Sequence, residues 1–171
     1  MFKLSLACLL LLPLAAAAQT RPAAPAANTP KALGKFEDWQ AATFSEGGQT
    51  VCYAFTRARS TSATPAISGR GEVLLTVTHR LAARDAVSIG AGFQYAANAA
   101  VVVQADAATL DFYTAQRSAF AREGRQAVTA FQKAGSAVAK SPGPKGPVAD
   151  TFSLKGFSAA YAAIGKACPP K

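Results

Sequence analysis

Alternation of apolar and polar residues is the main pattern in the middle of the chain, and it is most regular at residues 72–80. There Val73, Leu75, Val77 and His79 occupy every second position. Successive side chains of a β-strand point to opposite faces of its sheet, so a period of two is typical of a strand with one buried face. We therefore predict a strand here whose other face is mostly polar.

Seven further segments show the same period over shorter or less regular stretches, and turn-forming residues separate them. Gly47 and Gly48 lie between the first two, and the Pro- and Gly-rich residues 142–147 cannot continue a regular strand. Residues 58–71 are rich in Ser, Thr, Gly and Arg and are predicted to be a long polar loop. The seven predicted strands are residues 36–44, 50–57, 85–95, 100–105, 109–114, 136–140 and 148–154.

Two segments in the C-terminal half follow a helical period instead. In residues 123–134 the apolar side chains are spaced for one buried face, and Gly135 is placed to end the helix. A second helix follows the last strand, with Ser158 as its predicted N-cap. Its apolar face at i, i+4, i+7 and i+11 consists of Phe157, Tyr161, Ile164 and Cys168.

These elements together indicate a fold class. About eight short strands with frequent turns are typical of an all-β sandwich or barrel, and the two helices come late in the chain. We predict a mainly β protein: an antiparallel β-sandwich or barrel of about eight strands with two short helices in the C-terminal half.

Residues 1–18 have the features of a secretory signal peptide. Lys3 supplies the positive charge, a short apolar core follows, and an Ala-x-Ala cleavage site precedes Gln19. The apolar core is too short to span a membrane, and no later segment could. Residues 19–34 are rich in Ala and Pro and are predicted to be a flexible leader outside the fold. Residues 35–171 are expected to form one domain.

Removal of the signal peptide leaves two of the three cysteines, Cys52 and Cys168. Outside the cytoplasm, two such cysteines are expected to form a disulfide. The predicted Cys52–Cys168 bridge would fasten the C-terminal helix to the second predicted strand. Because the loop that it closes is long, chain entropy alone would stabilise the fold by about 4–5 kcal/mol.

The chain is basic, with 18 Lys and Arg against 9 Asp and Glu, and loss of Lys3 lowers its formal charge from +9 to +8. The simplest interpretation of this charge is that it keeps an exported protein soluble. The alternative is electrostatic attraction to anionic lipopolysaccharide, membrane surfaces or host glycans. Nucleic acid is not an expected partner, because no aromatic–basic nucleic-acid motif is present and the predicted location is wrong. Arg57, Arg59 and Arg70, in and beside the predicted loop, are the predicted partner-binding residues.

No catalytic site is recognisable. His79, the one histidine, shares the apolar face of its strand, which is typical of a structural histidine. General base catalysis would need a nucleophile within reach, and no Gly-x-Ser-x-Gly motif occurs. Asp106 and Asp111 flank a predicted hairpin, where aspartates usually support turns. One histidine and two bridged cysteines are too few zinc ligands. We therefore predict no enzyme activity, metal or cofactor.

Five short motifs have a characteristic order along the chain. They are Phe36-Glu-Asp-Trp, Val51-Cys-Tyr, Leu75-Thr-Val-Thr-His-Arg, Phe112-Tyr-Thr, and Asp150-Thr-Phe-Ser-Leu-Lys-Gly-Phe followed by Cys168. Together they resemble the invasion-associated locus B family, over residues 34–168. That family comprises exported proteins of Gram-negative bacteria and is linked in a pathogen to host-cell invasion. The resemblance implies a periplasmic or outer-envelope protein without established enzyme activity, and it transfers the two cysteines but no catalytic residue.

Two functions follow from these observations. The first is an exported non-enzymatic envelope protein that binds an anionic envelope or host-surface partner through its basic loop. The second is a small β-barrel carrier or chaperone-like binder of an apolar ligand. A wide, dry interior lined by Phe93 and Phe112 would favour the carrier, and a filled interior would argue against it.

Overall fold

The computed structural model describes residues 29–170, so the predicted signal peptide and residues 19–28 of the predicted leader lie outside the described residues. Ten strands and two helices make up the described part of the chain. They are β1 (Lys31–Phe36), β2 (Trp39–Glu46), β3 (Gln49–Ala63), β4 (Leu74–His79), β5 (Ala86–Gly90), β6 (Ala100–Ala105), β7 (Ala108–Ala115), β8 (Ser118–Ala121), α1 (Gly124–Phe131), β9 (Ser136–Pro142), β10 (Pro147–Ser153) and α2 (Phe157–Ala167).

Eight of these strands form a closed antiparallel barrel. Their order is β3-β10-β9-β6-β7-β8-β5-β4, and pairing between β3 and β4 closes the ring. β2 pairs with β3, and β1 pairs with β2, so these two strands extend the sheet outside the ring. The predicted mainly β, antiparallel fold with about eight strands and two C-terminal helices is confirmed, and of the two predicted architectures it is the barrel.

β3 joins the ring to the two extra strands. Its first half pairs with β2 on one edge and β4 on the other, and its second half pairs with β10. This corrects the predicted loop at residues 58–71, because β3 continues to Ala63. The Ser- and Thr-rich end of β3 is mostly exposed on both faces, so it has no apolar period, and main-chain bonds to β10 hold it as a strand.

Apolar side chains from all eight ring strands fill the interior of the barrel. A ring of eight strands is just wide enough for its inward side chains to occupy the space inside. None of those named here is more than 4% exposed. They are Ala54, Leu75, Val77, Val87, Ile89, Val101, Val103, Leu110, Phe112, Ala119, Ala137, Ala139, Val148 and Phe152.

α2 packs against β1, β2 and β3 through its apolar face. The Phe157 ring lies 4.8 Å from Trp39 of β2 and 5.7 Å from Phe131 of α1, measured between ring centroids. The indole Nε1 of Trp39 donates a hydrogen bond to the carbonyl oxygen of Ser153, 3.0 Å away. This aromatic contact brings both helices and the extra strands into one core. Among residues 29–170, neither helix has the length and hydrophobicity that crossing a membrane requires.

The predicted N-cap of α2 is wrong. The helix begins at Phe157, and Gly156 takes the N-cap position with φ +84° instead of Ser158. A Cβ at position 156 would lie 2.0 Å from the carbonyl oxygen of Phe36. Glycine is required here because the end of β1 passes directly over the turn and the backbone is left-handed.

The first predicted strand is also corrected. A tight turn with Glu37 at φ +50° divides residues 36–44 into the end of β1 and the start of β2. Lys31 to Gly34 were assigned to the leader, but they belong to β1 and pair with β2. The pairing contains a register shift between Ala32 and Gly34, so an alternating pattern is not visible in the sequence.

Two further strand boundaries differ from the prediction. β8 was not predicted, because its four residues are too few to show a period. β5 ends at Gly90, whereas the predicted strand extended to Tyr95. Phe93 and Tyr95 are nevertheless buried, with rings 5.0 Å apart, in the segment that follows β5. Alternation alone could not distinguish this buried loop from a strand.

Candidate binding surface

The predicted disulfide between Cys52 and Cys168 is present and joins β3 to the C-cap of α2 across 116 positions of sequence. Cys52 is fully buried, and Cys168 is partly exposed. Arg84, in the β4–β5 connection, donates a hydrogen bond to the carbonyl oxygen of Cys168 at 2.5 Å. The end of α2 is therefore attached both covalently and by a hydrogen bond.

His79 is fully buried where β4 meets α2. The backbone N–H of Asp85 donates to its Nδ1 at 3.3 Å, and the Tyr161 hydroxyl donates to Oδ1 of Asp85 at 2.7 Å. Burial holds the pKa of His79 below its usual value, and the positive charge of Arg84 acts in the same direction with a smaller effect. Burial and the bond to Asp85 raise the pKa of Tyr161 to about 12. The imidazole is therefore neutral near pH 7, with its hydrogen on Nε2.

This cluster does not have the geometry of a catalytic site. A general base must reach a proton on a bound substrate, and His79 has no exposed surface. Its Nε2 has no hydrogen-bond partner within residues 29–170. The same residues contain no group of three or more His, Cys, Asp or Glu side chains that could hold a metal ion.

The side chain of Arg70 is only 9% exposed, so little of it is accessible to a partner. Its Nη1 and Nη2 donate to the two carboxylate oxygens of Asp150 at 2.8 and 2.7 Å, and its Nε donates to the Ala91 carbonyl at 2.7 Å. The side chains of Arg70 and Asp150 are 9% and 4% exposed. Removing one partner of such a pair leaves an uncompensated buried charge. Arg70 thus ties the β3–β4 connection to β10.

Arg57 and Arg59 lie on β3 and are exposed. Nε of Arg57 donates to Glu72 at 2.7 Å, and Arg59 pairs with Asp38. The hydrogen bond from Arg59, and a second one from Ser153, hold the pKa of Asp38 below its usual value. Exposed ion pairs contribute little to stability. Both guanidinium groups can therefore exchange their present carboxylate for another anion at small cost.

A groove of about 430 Å³ lies on the outer surface of the barrel beside Arg57. β2 and β3 contribute its aromatic wall, β4 contributes its floor, and an arginine stands at each end. We call this the β3–β4 groove. It is lined by Phe44, Tyr53, Phe55, Arg57, Leu74, Thr76, Thr78 and Arg80.

The aromatic wall is a row of three rings. The Tyr53 centroid is 5.6 Å from Phe44 and 5.9 Å from Phe55, and the Tyr53 and Phe55 planes differ by 23°. The Arg57 guanidinium continues the row, 5.7 Å from the Phe55 centroid. All three rings are half-buried, and they lie on a sheet face that is not part of the core. Large aromatic side chains in this position are typical of a contact surface.

The two arginines at the ends of the groove retain unused donors. Arg57 uses Nε for Glu72, and its two terminal amino groups make no hydrogen bond within the described residues. Arg80 bonds Glu46 through Nε at 2.7 Å and more weakly through Nη2 at 3.4 Å. The Arg80 hydrogen bond also holds the pKa of Glu46 below its usual value. Each end of the groove can therefore donate to an anionic or hydroxyl-bearing ligand.

Two neighbouring depressions share residues with the groove. One of about 410 Å³ lies on the other side of Tyr53 and Phe55, against β1 and β2. Another of about 490 Å³ lies beside the disulfide and is bordered by Arg80, Leu81 and Arg84. Arg80 lines both this cleft and the β3–β4 groove, so the concave surface continues around the end of β4.

Within residues 29–170, the two aromatic side chains that were expected to line a carrier's pocket belong to the packed core. Phe112 is 1% exposed and Phe93 is 7% exposed, and both are packed in the core. The concave regions described above all lie on the outside of the barrel, within residues 29–170. A filled interior argues against storage of an apolar ligand there.

The exposure of the aromatic wall of the groove was not predicted from the sequence. Within the predicted strand 50–57, Val51, Tyr53 and Phe55 alternate with Cys52 and Ala54, so the two sets occupy opposite faces. Hydrophobicity alone predicts that a strand face with two large rings is buried in the core. The signal that could have identified it is that both faces of the strand are apolar, although only one can face the inside of a small barrel.

Comparison with known proteins gives the following similarities. Residues 39–165 match the family model described as "Invasion associated locus B (IalB) protein". A crystal structure of invasion associated protein B from Bartonella henselae is similar, with a TM-score of 0.57 and 14% sequence identity. The alignment covers 78% of the present chain and 95% of the Bartonella chain. A search of curated protein sequences gave no match. At 14% identity the structural likeness concerns the fold alone.

Proposed function

The chain belongs to the invasion associated locus B family, and from that premise we propose that it is an exported, non-enzymatic protein of the cell envelope that binds an anionic envelope component. The proposed contact surface is the β3–β4 groove, with Arg57 at one end and Arg80 at the other, together with exposed Arg59, which follows Arg57 by two residues on β3. Arg70 is left out of this surface because it is buried against Asp150.

Location outside the cytoplasm is supported by two independent features. The N-terminal residues have the charge, apolar core and cleavage site of a secretory signal peptide. The disulfide between Cys52 and Cys168 is of a kind that forms and persists in oxidising compartments. Both features fit the periplasm or the exterior of a Gram-negative bacterium.

Anion binding is supported above all by the two arginines that stand at the ends of an open aromatic groove. Arginine donates paired hydrogen bonds to carboxylates and phosphates, and both groups of donors here are exposed. The formal charge of +8 after signal cleavage adds long-range attraction for anions. The carrier hypothesis has no comparable support, because the interior of the barrel is filled with side chains.

The proposal is tested by binding of the mature protein to immobilised lipopolysaccharide at several salt concentrations. A variant with Arg57→Ser, Arg59→Ser and Arg80→Ser should bind several-fold more weakly, and its affinity should depend less on salt. The reason is that these substitutions remove the arginines at both ends of the groove and the neighbouring Arg59, and leave the Arg70–Asp150 pair intact.

The control has the same net charge as the test variant but changes the surface around α1 and β9. It carries the substitutions Arg125→Ser, Lys133→Ser and Lys140→Ser, all at exposed positions. This control should bind lipopolysaccharide like the wild type. Equal losses in both variants would mean that net charge alone drives binding, and full binding by the groove variant would refute the proposed surface.

A further inference from the structure

We propose that the β3–β4 groove binds an acidic polysaccharide chain, which lies along the strands between Arg57 and Arg80. This inference rests on the proposed function, because it names the chemical class of the anionic partner at the same surface.

The walls and floor present two kinds of surface that a sugar chain matches. The half-buried rings of Tyr53 and Phe55 offer apolar, polarisable surface to the C–H groups of a sugar. Opposite them, the hydroxyls of Thr76 and Thr78 lie on the outer face of β4, where register pairs them with Phe55 and Tyr53 respectively. Sugar rings carry apolar C–H surface and hydroxyl groups together. A lipid tail would leave the threonine hydroxyls without a partner.

The edges of the strands argue against a peptide as the ligand. Residues 52–55 of β3 are paired with β2 on one edge and with β4 on the other. Extended peptides usually gain affinity from main-chain hydrogen bonds to an exposed strand edge. The groove lies on a sheet face and offers side chains alone, so a peptide backbone lying in it would gain no main-chain partner.

The ends of the groove set the length and charge of the ligand. Arg57 lies opposite Leu74 in the register of β3 and β4. Arg80 lies six residues after Leu74, just beyond the end of β4. At about 3.3 Å per residue, the two positions are roughly 20 Å apart along the strand. This separation of the two backbone positions exceeds the size of a single sugar. A chain of several sugars with carboxylate or phosphate groups can contact both.

The inference is tested with three soluble polymers: polygalacturonate, which is an acidic polysaccharide; polyglutamate, which is an acidic polypeptide; and dextran, which is a neutral polysaccharide. Isothermal titration at physiological salt should give tightest binding to polygalacturonate. Dextran lacks the charges, and polyglutamate lacks the sugar rings, so each should bind roughly tenfold more weakly or worse. Short polygalacturonate oligomers should lose affinity once they cannot span the two arginines.

Tyr53→Ala should lower the affinity for polygalacturonate roughly tenfold, because it removes the central ring of the wall. The matched control is Tyr113→Ala, which removes a ring that is 45% exposed on β7, away from the groove. Thr76→Val combined with Thr78→Val changes the shape little and removes both hydroxyls. It should weaken polygalacturonate binding and leave polyglutamate binding unchanged, and it tests the groove even where Tyr53→Ala impairs folding.

The outcomes separate this inference from the proposed function. One outcome is that lipopolysaccharide binding needs the groove arginines, but polygalacturonate and polyglutamate bind equally well and the double threonine variant binds polygalacturonate like the wild type. The protein would then be an anion-binding protein without sugar recognition, and the inference would be wrong while the proposed function stands. If neither lipopolysaccharide nor polygalacturonate binds, both proposals are wrong. If lipopolysaccharide binds and polygalacturonate does not, the recognised anions belong to the lipid part, and the inference of an acidic polysaccharide ligand is wrong.

Discussion

At the scale of single residues, burial separates charged side chains of the same type into different roles. Arg70 and Arg57 are close in sequence, yet Arg70 is 9% exposed and bonded to both oxygens of Asp150, whereas Arg57 is 53% exposed. The first is a structural residue, and the second is available to a ligand. Composition and charge cannot distinguish them, because the distinction depends on which strand each guanidinium faces.

His79 gives a prediction at this scale. Its pKa in the folded protein is held below the usual 6.5 by burial and by Arg84, with the carboxylate of Asp85 acting in the opposite direction. A depressed pKa means that the unfolded chain binds the proton more tightly. The stability contributed by neutral His79 is therefore complete above pH 6.5 and is lost as the pH falls below it, by about 1.4 kcal/mol per pH unit until the folded protein is protonated.

Urea denaturation of the wild type between pH 7.5 and 5.0 should show this loss of stability. His79→Gln, which does not titrate, should have a flatter profile over the same range. The carboxylates with lowered pKa, Asp38 and Glu46, contribute only nearer their own unfolded values of 3.8 and 4.5. Identical slopes for wild type and variant would show that His79 does not control stability in this window.

At the scale of elements, regular alternation identified seven of the eight ring strands, whereas β1 outside the ring and β8 within it depend on their neighbours. β1 pairs with β2 through a shifted register, and β8 has four residues. Neither produces a visible period in the sequence. The start of α2 likewise depends on a distant element, since the carbonyl of Phe36 excludes any side chain at Gly156.

Two glycines of the α2 region give a matched pair of predictions. Gly156→Ala places a Cβ against the Phe36 carbonyl in a left-handed backbone, so it should reduce the free energy of unfolding by about 1–3 kcal/mol. Gly165 lies within α2 and a Cβ there has no neighbour within 4 Å. Gly165→Ala should therefore be neutral or stabilising by up to about 1 kcal/mol.

Chemical denaturation of the two oxidised variants measures this difference. The midpoint for Gly156→Ala should fall below that of the wild type, and the midpoint for Gly165→Ala should not. A common midpoint would show that the contact between β1 and the start of α2 does not contribute to stability.

At the scale of the whole molecule, strand pairing closes the barrel, and a disulfide attaches the C-terminal helix to it. Pairing of β3 with β4 closes the ring, and the disulfide attaches α2 to the same β3 strand. β3 therefore carries the ring closure, the attachment of α2 and the wall of the groove. Loosening α2 should affect the core that it shares with Trp39 and Phe131.

Cys168→Ser tests this attachment. Opening a covalent loop of this length should lower the free energy of unfolding by about 4–5 kcal/mol, because the unfolded chain regains its entropy. The thermal midpoint of the oxidised variant should fall well below that of the oxidised wild type. Reductant should lower the midpoint of the wild type to a similar value and leave the variant unchanged. A wild type that is insensitive to reductant would contradict a stabilising role of the bridge.

The sequence alone determined the features that depend on local order. Alternating residues specified most of the strands, the helical period specified the buried faces of α1 and α2, and two remaining cysteines specified the disulfide. The strand and helix signals are local because side-chain direction follows from the backbone period. The disulfide joins distant residues, but it was predictable because only two cysteines remain after signal cleavage. The motif order also placed the chain in its family, which the family model confirms.

Tertiary structure decided everything that depends on distant neighbours. It chose the barrel over the sandwich, because closure requires β3 to meet β4 after the strand order is complete. It buried Arg70 against Asp150, 80 positions away, and left Arg57 exposed. It also placed three rings outside the core and formed the β3–β4 groove. Hydrophobicity gives the preference of a side chain for burial, whereas the packing of the whole chain determines whether the core has space for it.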